Sequence, residues 1–398
     1  MNRIAYLNCE VKYRDLSTRL LIASYLLKFG IPVVVGQVWA LVANARAGHN
    51  LLGAYLFATT NKFQAKSMGW VKEAGHIVVA SDEEILPAYD PLPFVTPEAV
   101  AVCDRLLIDT PHHEAALRGA FPDLFHKFTV TGPVRLEALQ KIKIEPASSS
   151  PYILFNTGSG VINSIRGNPK EALQMLRHAV NVSEDEARVR VEVGQAAFDL
   201  IVPLIRWLAL DHRVVVRPHP SERAETWREA VPEAEVVEDS PPLPWIKGAR
   251  VVIHNNSTTG LEAAAMGVPA LNLDPVPEWG KRYIAPDINH TARTLDEAKQ
   301  ALEPFLADGS GPIFEKIKTD LNFPMNGAEN TANAIAAMLA GANPLSSQFP
   351  WAMMERAPMD RQKFTVTKEE VAERMDGMDE RCAIHQLDDS VFFLTPDA

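Results

Sequence analysis

Two cations and a run of small polar residues are the first groups in this sequence able to do chemistry. Arg217-Pro218-His219-Pro220 follows the β-branched run Val214-Val215-Val216. His254-Asn255-Asn256-Ser257-Thr258-Thr259-Gly260 follows Val251-Val252-Ile253, and helix-forming residues from Leu261 to Met266 come next. In extended chain Arg217 and His219, two apart, project to one side. A polar turn that opens a helix offers N–H groups without helical partners, at the positive end of the helix dipole. Arg217 and His219, with Asn256, Ser257, Thr258 and Thr259, therefore point to phosphate binding. Ser and Thr also cap helices with no ligand present, so the plain alternative stays beside this reading. Glu262 sits in the first turn of that helix, where a solvated acidic residue is the plain reading.

A second set is acidic. Asp82-Glu83-Glu84 follows the apolar stretch His76–Ala80, and Glu10 follows the first apolar stretch of the chain. A carboxylate at a strand end can act as general base or as nucleophile; an acidic helix start is the bland alternative. Lys12, Arg14 and Arg19 nearby can grip an anionic ligand or simply form a solvated helix start. Asn156-Thr157-Gly158-Ser159-Gly160 also follows a strand, but lacks the G-x-G-x-x-G spacing of a dinucleotide site. Its Thr157, Gly158 and Ser159 are expected to let the backbone approach a ligand closely. His112 and His113 are adjacent, face different ways on a helix and have no evident third ligand. No D-x-D occurs. No metal and no resident cofactor are expected.

These residues need strands that end together. Arg3–Asn8, a helix over Leu16–Phe29 ended by Gly30, and Ile31–Gly36 read as a β-α-β unit, which predicts a parallel sheet. Further strands are expected near Gly53–Ala58, His76–Ala80, Arg105–Ile108 and Phe128–Thr131, with helices over Val38–Ala47, Asn61–Gly75 and Thr110–Gly119. The polar, proline-bounded stretch Lys141–Pro151 reads as a linker. A second α/β unit then has strands at Tyr152–Phe155, Arg213–Arg217, Val236–Val237, Val251–Ile253 and Ala270–Leu273. Its longest helix is Ser183–Leu210, and Leu295–Leu306 and Ala328–Leu339 read as helical. This places domains at 1–145 and 151–340. A tail, 343–398, carries one helix candidate at Lys368–Arg374 and could pack back on the first domain.

The chain has 398 residues, enough for two cores, with 47% hydrophobic and 22% charged residues. A formal net charge of −11 with no basic run argues against nucleic acid as a partner. Cys9, Cys103 and Cys382 are far apart, which suits a reducing cytoplasm and no disulfide framework. No apolar run reaches transmembrane length, and the N-terminus does not read as a signal peptide. Peripheral work at the inner face of the membrane stays allowed, and the oligomeric state is not legible.

Several segments together resemble the bacterial surface carbohydrate biosynthesis protein family. They are Glu10-Val11-Lys12 with Arg14, Arg19-Leu20-Leu21, Val34-Val35-Gly36, Asp82-Glu83-Glu84, Thr131-Gly132-Pro133-Val134-Arg135-Leu136, and Asn156-Thr157-Gly158 with Ile162-Asn163-Ser164. The likeness runs in order from about residue 1 to 340. It implies a GT-B glycosyltransferase, two Rossmann-like domains with parallel sheets facing across a cleft. His219-Pro220 and the later Ser257-Thr258 are similar in order to the phosphate contacts of transferases using CMP-activated sugars such as Kdo and sialic acid. Glu262, in the helix after Gly260, is similar to a Glu that in many GT-B enzymes binds the nucleotide ribose, whose hydroxyls a carboxylate can accept from. His254 stands where retaining members with a two-Glu pattern have their other Glu, and Ile85 follows the acidic triplet where a Gly is usual.

The resemblance implies transfer of a sugar, from a CMP-linked donor, onto a surface polysaccharide (capsule or lipopolysaccharide) or its lipid-linked precursor. In that arrangement Asp82, Glu83, Glu84 or Glu10 would face the donor and activate the acceptor. Lys12, Arg14 and Arg19 would hold an anionic or lipid-linked acceptor. The alternatives are a CDP-polyol phosphotransferase of teichoic-acid type, a sugar-nucleotide epimerase, and a catalytically silent subunit of a glycan assembly complex.

Overall fold

The computed structural model describes residues 2–179, 183–238, 240–307, 314–320, 322–344, 349–351, 364–378 and 381–396. In chain order the strands are β1 (Ala5–Cys9), β2 (Val33–Gln37), β3 (Ala54–Phe57), β4 (Ile77–Ala80), β5 (Arg105–Ile108), β6 (Phe128–Val130), β7 (Ile153–Asn156), β8 (Val214–Arg217), β9 (Glu235–Val236), β10 (Val251–His254), β11 (Ala270–Leu273), β12 (His290–Ala292), β13 (Cys382–Asp388) and β14 (Val391–Pro396). They form two sheets in two compact units. One unit is Met1–Leu86, Pro91–Lys143 and Asn322–Ala398; the other is Pro87–Asp90 and Ile144–Leu321.

In the first unit the order is β13-β14-β2-β1-β3-β4-β5-β6. The pairings from β2 through β6 are parallel, while β14 joins β2 antiparallel. Strands covered on both faces read as unbroken apolar runs, as Val33-Val34-Val35 does. On one face Leu16, Leu20 and Leu27 of the helix Lys12–Lys28 pack with Ala328 and Ile335 of the helix Gly327–Met338. On the other, Met68 and Val71 of the helix Lys62–Glu73 pack with Val100 and Tyr55.

Three features differ from the sequence reading. The first helix begins at Lys12 rather than Leu16, because buried Asp15 accepts the N–H groups of Glu10 (2.6 Å) and Val11 (2.9 Å) and closes the first turn. The second unit ends at Leu321, before residue 340. The helix Gly327–Met338 belongs to the first unit, where Glu137 accepts the Ala328 N–H at 2.8 Å and Asn330 Nδ2 donates to Thr131 O at 2.9 Å. The tail carries a hairpin beyond its helix Lys368–Asp376. Phe392 and Leu394 are buried in the first core, and the pairing of β14 with β2 extends the sheet.

The second sheet is wholly parallel, in the order β12-β11-β10-β7-β8-β9. The helix Glu184–Leu208 covers one face through Leu200, Leu204 and Leu208, and Ser183 caps it by accepting the Glu186 N–H. The register aligns Asn156 with Arg217 on one side and with His254 on the other. The loops after β8, β7 and β10 therefore leave one edge side by side.

Gly132 has φ +104°, and an added Cβ would be driven into the Pro324 carbonyl oxygen. Gly30 has φ +68° with nothing near its absent Cβ. Denaturant unfolding should find Gly132→Ala destabilising by more than about 2 kcal/mol, from strain plus a backbone clash. Gly30→Ala should cost only about 1 kcal/mol, from φ alone.

Candidate functional site

The second unit gathers its polar residues at the edge where β7, β8 and β10 end. From β7, Asn156 Nδ2 donates to Thr259 Oγ1 (3.3 Å) and Thr157 Oγ1 donates to Glu222 Oε2 (2.6 Å). Glu222 lies three residues beyond His219 and also accepts Trp227 Nε1–H at 2.7 Å. Burial raises its pKa. Gly158 has no heavy atom near its absent Cβ, whereas a side chain on Gly160 would meet Ser221 Oγ. Ser159 is buried. From β8, Arg217 donates to Ser240 O at 2.9 Å, while His219 is exposed. His219 Nδ1 accepts the Ser221 N–H (3.2 Å) and faces Ser221 Oγ (2.7 Å). In the neutral ring the proton then sits on Nε2. The two cations thus have different local anchors, Arg217 on Ser240 and His219 on Ser221.

The turn after β10 departs from the picture of open N–H groups. Its helix is Thr259–Ala265, and Thr258 precedes it with no side-chain cap. Asn256, at φ 43°, gives its N–H to Asn272 Oδ1 (2.7 Å), and Ser257 gives its own to His254 Nδ1 (3.3 Å). Ser257 Oγ and O accept from Thr259 N (3.2 Å) and Gly260 N (3.2 Å). Neighbouring side chains and a turn carbonyl have taken the N–H groups of Asn256, Ser257, Thr259 and Gly260, and Ser257 Oγ donates to Thr259 Oγ1 at 3.1 Å, leaving the hydroxyls of Thr258 and Thr259 as donors. His254 is 1% exposed and pairs with Asn289 Oδ1 at 3.1 Å. Burial pulls its pKa down to about 4, so it is a neutral brace. Gly260 is required because a Cβ would meet His254 Nε2 at 2.6 Å. Glu262 is 2% exposed.

In the first unit the acidic triplet forms a turn after β4, with no helix following at once. Asp82 Oδ2 accepts Thr60 N (2.7 Å) and Thr60 Oγ1 (2.5 Å), and its Oδ1 accepts Glu84 N (3.0 Å). Glu83 Oε1 accepts from Arg19 Nη1 at 2.9 Å, with side-chain exposures of 9% and 1%. Arg19 Nε also donates to Asn8 O at 3.0 Å. Arg14 bonds Glu10, Glu84 and Asp15, and Gln64 donates to Glu10. Lys12 meets Glu370 at 2.5 Å. The three cations read as grips for a ligand are thus paired with the chain's own carboxylates. Arg19 is inside because its partner Glu83 is.

Burial raises the pKa of Glu10 and lifts Asp82 to about 7. Asp109, at the exit of β5, is pushed up to about 8 by burial, helped by the charges of Glu83 and Asp82. Sequence reasoning passed over Asp15, Asp109 and Glu222. Asp109 carried the same signal as Asp82, a carboxylate one residue past an apolar strand.

No family model and no curated protein sequence matches the chain. Solved structures do match. A UDP-GlcNAc 2-epimerase from Methanocaldococcus jannaschii aligns with TM-score 0.53 at 12% identity, over 85% of this chain and 100% of that one. The Methanocaldococcus jannaschii enzyme in complex with UDP-GlcNAc and UDP gives 0.50 at 11%, over 85% and 100%. A Listeria monocytogenes protein provisionally assigned as a UDP-N-acetylglucosamine 2-epimerase gives 0.54 at 13%, over 88% and 100%. At such identities the likeness speaks to fold. The chain has the α/β GT-B architecture, two Rossmann-like units on parallel sheets. Among the described residues, no helix is long and apolar enough to cross a membrane. Among those residues, too, no group of His, Cys, Asp or Glu is placed to hold a metal ion.

Arg19→Met would leave the Glu83 carboxylate buried without its cation. Urea unfolding should show a loss of about 3–5 kcal/mol, much of it restored when Glu83→Leu is added. A second test is pH. Asp82 and Asp109 bind protons more tightly folded than unfolded, so their stabilising contribution is complete below about pH 4. It is lost as pH rises through 7 to 8. Each group contributes a slope of at most about 1.4 kcal/mol per pH unit. Calorimetric melting from pH 5 to 9 should show this decline, and a shallower one in Asp82→Asn.

Proposed function

We propose that the protein is a sugar-nucleotide enzyme, a glycosyltransferase that moves a sugar from a nucleotide donor onto a bacterial surface glycan or its lipid-linked precursor. The observation that carries this reading is the shared edge of β7, β8 and β10, where His219 and the hydroxyl-rich turn Ser257–Thr259 leave the strands on either side of β7. When a glycosidic bond to phosphate breaks, the leaving oxygen gains negative charge. Donors already in place stabilise that charge without reorganising. His219 would donate from Nε2, with Thr258 and Thr259 adding hydroxyl donors and Ser257 orienting Thr259. Thr157, Gly158 and Ser159 would frame the sugar side. No metal is part of this reading.

A carboxylate of the first unit would take the proton of the acceptor hydroxyl. Asp82 is occupied by Thr60 and Glu84, and Glu84 is tied to Arg14. Glu83 is the candidate base, because its Oε2 has no partner among the described residues. Glu10, which Arg14 and Gln64 already occupy, is the competitor. The fold neighbours favour a second enzymatic reading, since their structures are of UDP-GlcNAc 2-epimerases, one holding UDP-GlcNAc and UDP.

The test is calorimetric binding of CMP, CDP, UDP and GDP to the wild type and to His219→Ala. The CMP-sugar reading expects tight CMP binding, weakened at least about tenfold in the mutant by loss of a charge-stabilising donor. Preference for UDP removes the CMP donor, and turnover of UDP-GlcNAc without any acceptor makes the protein an epimerase. Preference for CDP favours a phosphotransferase. Binding of none of the four leaves a silent assembly subunit.

A further inference from the structure

An acid-free stretch runs through the first unit. Residues 16–72 contain no Asp or Glu, in a chain that has 50 of them and a net charge of −11. The same residues carry Arg19, Lys28, Arg46, Lys62, Lys66 and Lys72. Arg19 is buried against Glu83, Lys72 pairs with Asp104, and Lys28 ends the helix on the other face of the sheet. Arg46 and Lys66 are exposed and Lys62 is half-buried. These three lie on the helices Val38–Arg46 and Lys62–Glu73, which cover one face of the sheet. Both helices start beyond the ends of parallel strands, β2 and β3, so they run in the same direction. They are neighbours: the Arg46 guanidinium lies over the Trp70 ring at 4.1 Å, and Lys66 Nζ stands 5.2 Å from the same ring. Seven residues make about two helical turns, so Trp39 shares a side of its helix with Arg46, and Phe63 with Trp70. Trp39 and Phe63 therefore stand side by side, about 10 Å nearer the strand ends than the stacked pair. Their rings are 44% and 58% exposed.

One exposed apolar side chain is ordinary. A strip of exposed rings flanked by cations, from which carboxylates are missing, matches a boundary that is apolar within and anionic outside. Neither helix has an acidic residue in its first turn, where the helix dipole favours one. We propose that this face of the first unit lies against a membrane surface containing anionic lipid, with Trp39 and Phe63 entering the headgroup boundary and Arg46, Lys62 and Lys66 meeting lipid phosphates. The long stems of the cations let their charged ends reach the phosphates while the rings sit deeper. Acidic residues bound the strip. Asp389 is exposed at the hairpin turn beside the end of β2, where Gln37 N donates to Ser390 O at 3.4 Å, and Glu73 closes the second helix.

The membrane face does not rest on the proposed function, although a protein held there meets a lipid-linked acceptor where it lies. Sedimentation of the full chain with vesicles of phosphatidylcholine and about one third phosphatidylglycerol should show binding that weakens as ionic strength rises from about 0.05 to 0.5 M. Binding to phosphatidylcholine alone should be at least about tenfold weaker. Trp39→Ser with Phe63→Ser, and separately Lys62→Glu with Lys66→Glu, should each lower partitioning onto the anionic vesicles at least about tenfold, with thermal melting close to wild type. Brominated lipid should quench tryptophan fluorescence less in Trp39→Phe than in the wild type. No binding to the anionic vesicles, equal binding by the variants, or quenching unchanged in Trp39→Phe overturns the inference. So does a nucleic-acid oligomer that outcompetes the vesicles. The wild-type vesicle measurement decides even if a variant does not fold. If vesicles bind and no nucleotide does, the proposed function fails and the membrane face stands. Nucleotide binding without vesicle binding gives the reverse.

Discussion

Parallel strands that end together are the constraint on which the rest of this protein depends. In the second unit β7 lies between β8 and β10, with Asn156 in register with both Arg217 and His254. Three loops therefore share one edge, although their residues are about 40 to 100 positions apart in the chain. The hydrogen bonds between loops follow from that register. Asn156 reaches Thr259, and Thr157 reaches Glu222. A one-residue slip in either pairing would turn these groups to the other face and unmake the cluster.

The same edge geometry in the first unit gathers charge rather than hydroxyls. Asp15, Arg14, Arg19, Glu83 and Asp82 come from the first helix and the turn after β4, and each is held by another or by backbone. Such networks stabilise little in net terms, because desolvation offsets most of the attraction. What they do is fix geometry. A buried carboxylate with one oxygen tied to Arg19 has its second oxygen held in one orientation.

Among groups of similar chemistry, burial separates the roles. His219 is exposed and His254 buried, although both follow β-branched runs and precede polar turns. Exposure leaves the first able to meet a ligand. Burial holds the second neutral, bonded at both ring nitrogens, as the brace that shapes the hydroxyl turn.

By itself the sequence determined the element pattern: strands such as Val33-Val34-Val35 and Val251-Val252-Ile253, the helices between them, and hence two parallel α/β units. Apolar runs and glycine or proline punctuation are local signals, so they survive without coordinates. The strand-end residues His219, Ser257 and Glu83 were legible for the same reason. Only tertiary structure decided where Asn322–Ala398 belongs, because Val391–Leu394 is simply an apolar run until β2 offers it an edge. Tertiary structure also decided that Arg19 faces inward to Glu83 and that the Asn256 N–H is already taken by Asn272. Each of these is a pairing between residues distant in sequence. Local propensity has no access to such pairings, whose energies depend on burial that only the packed chain creates.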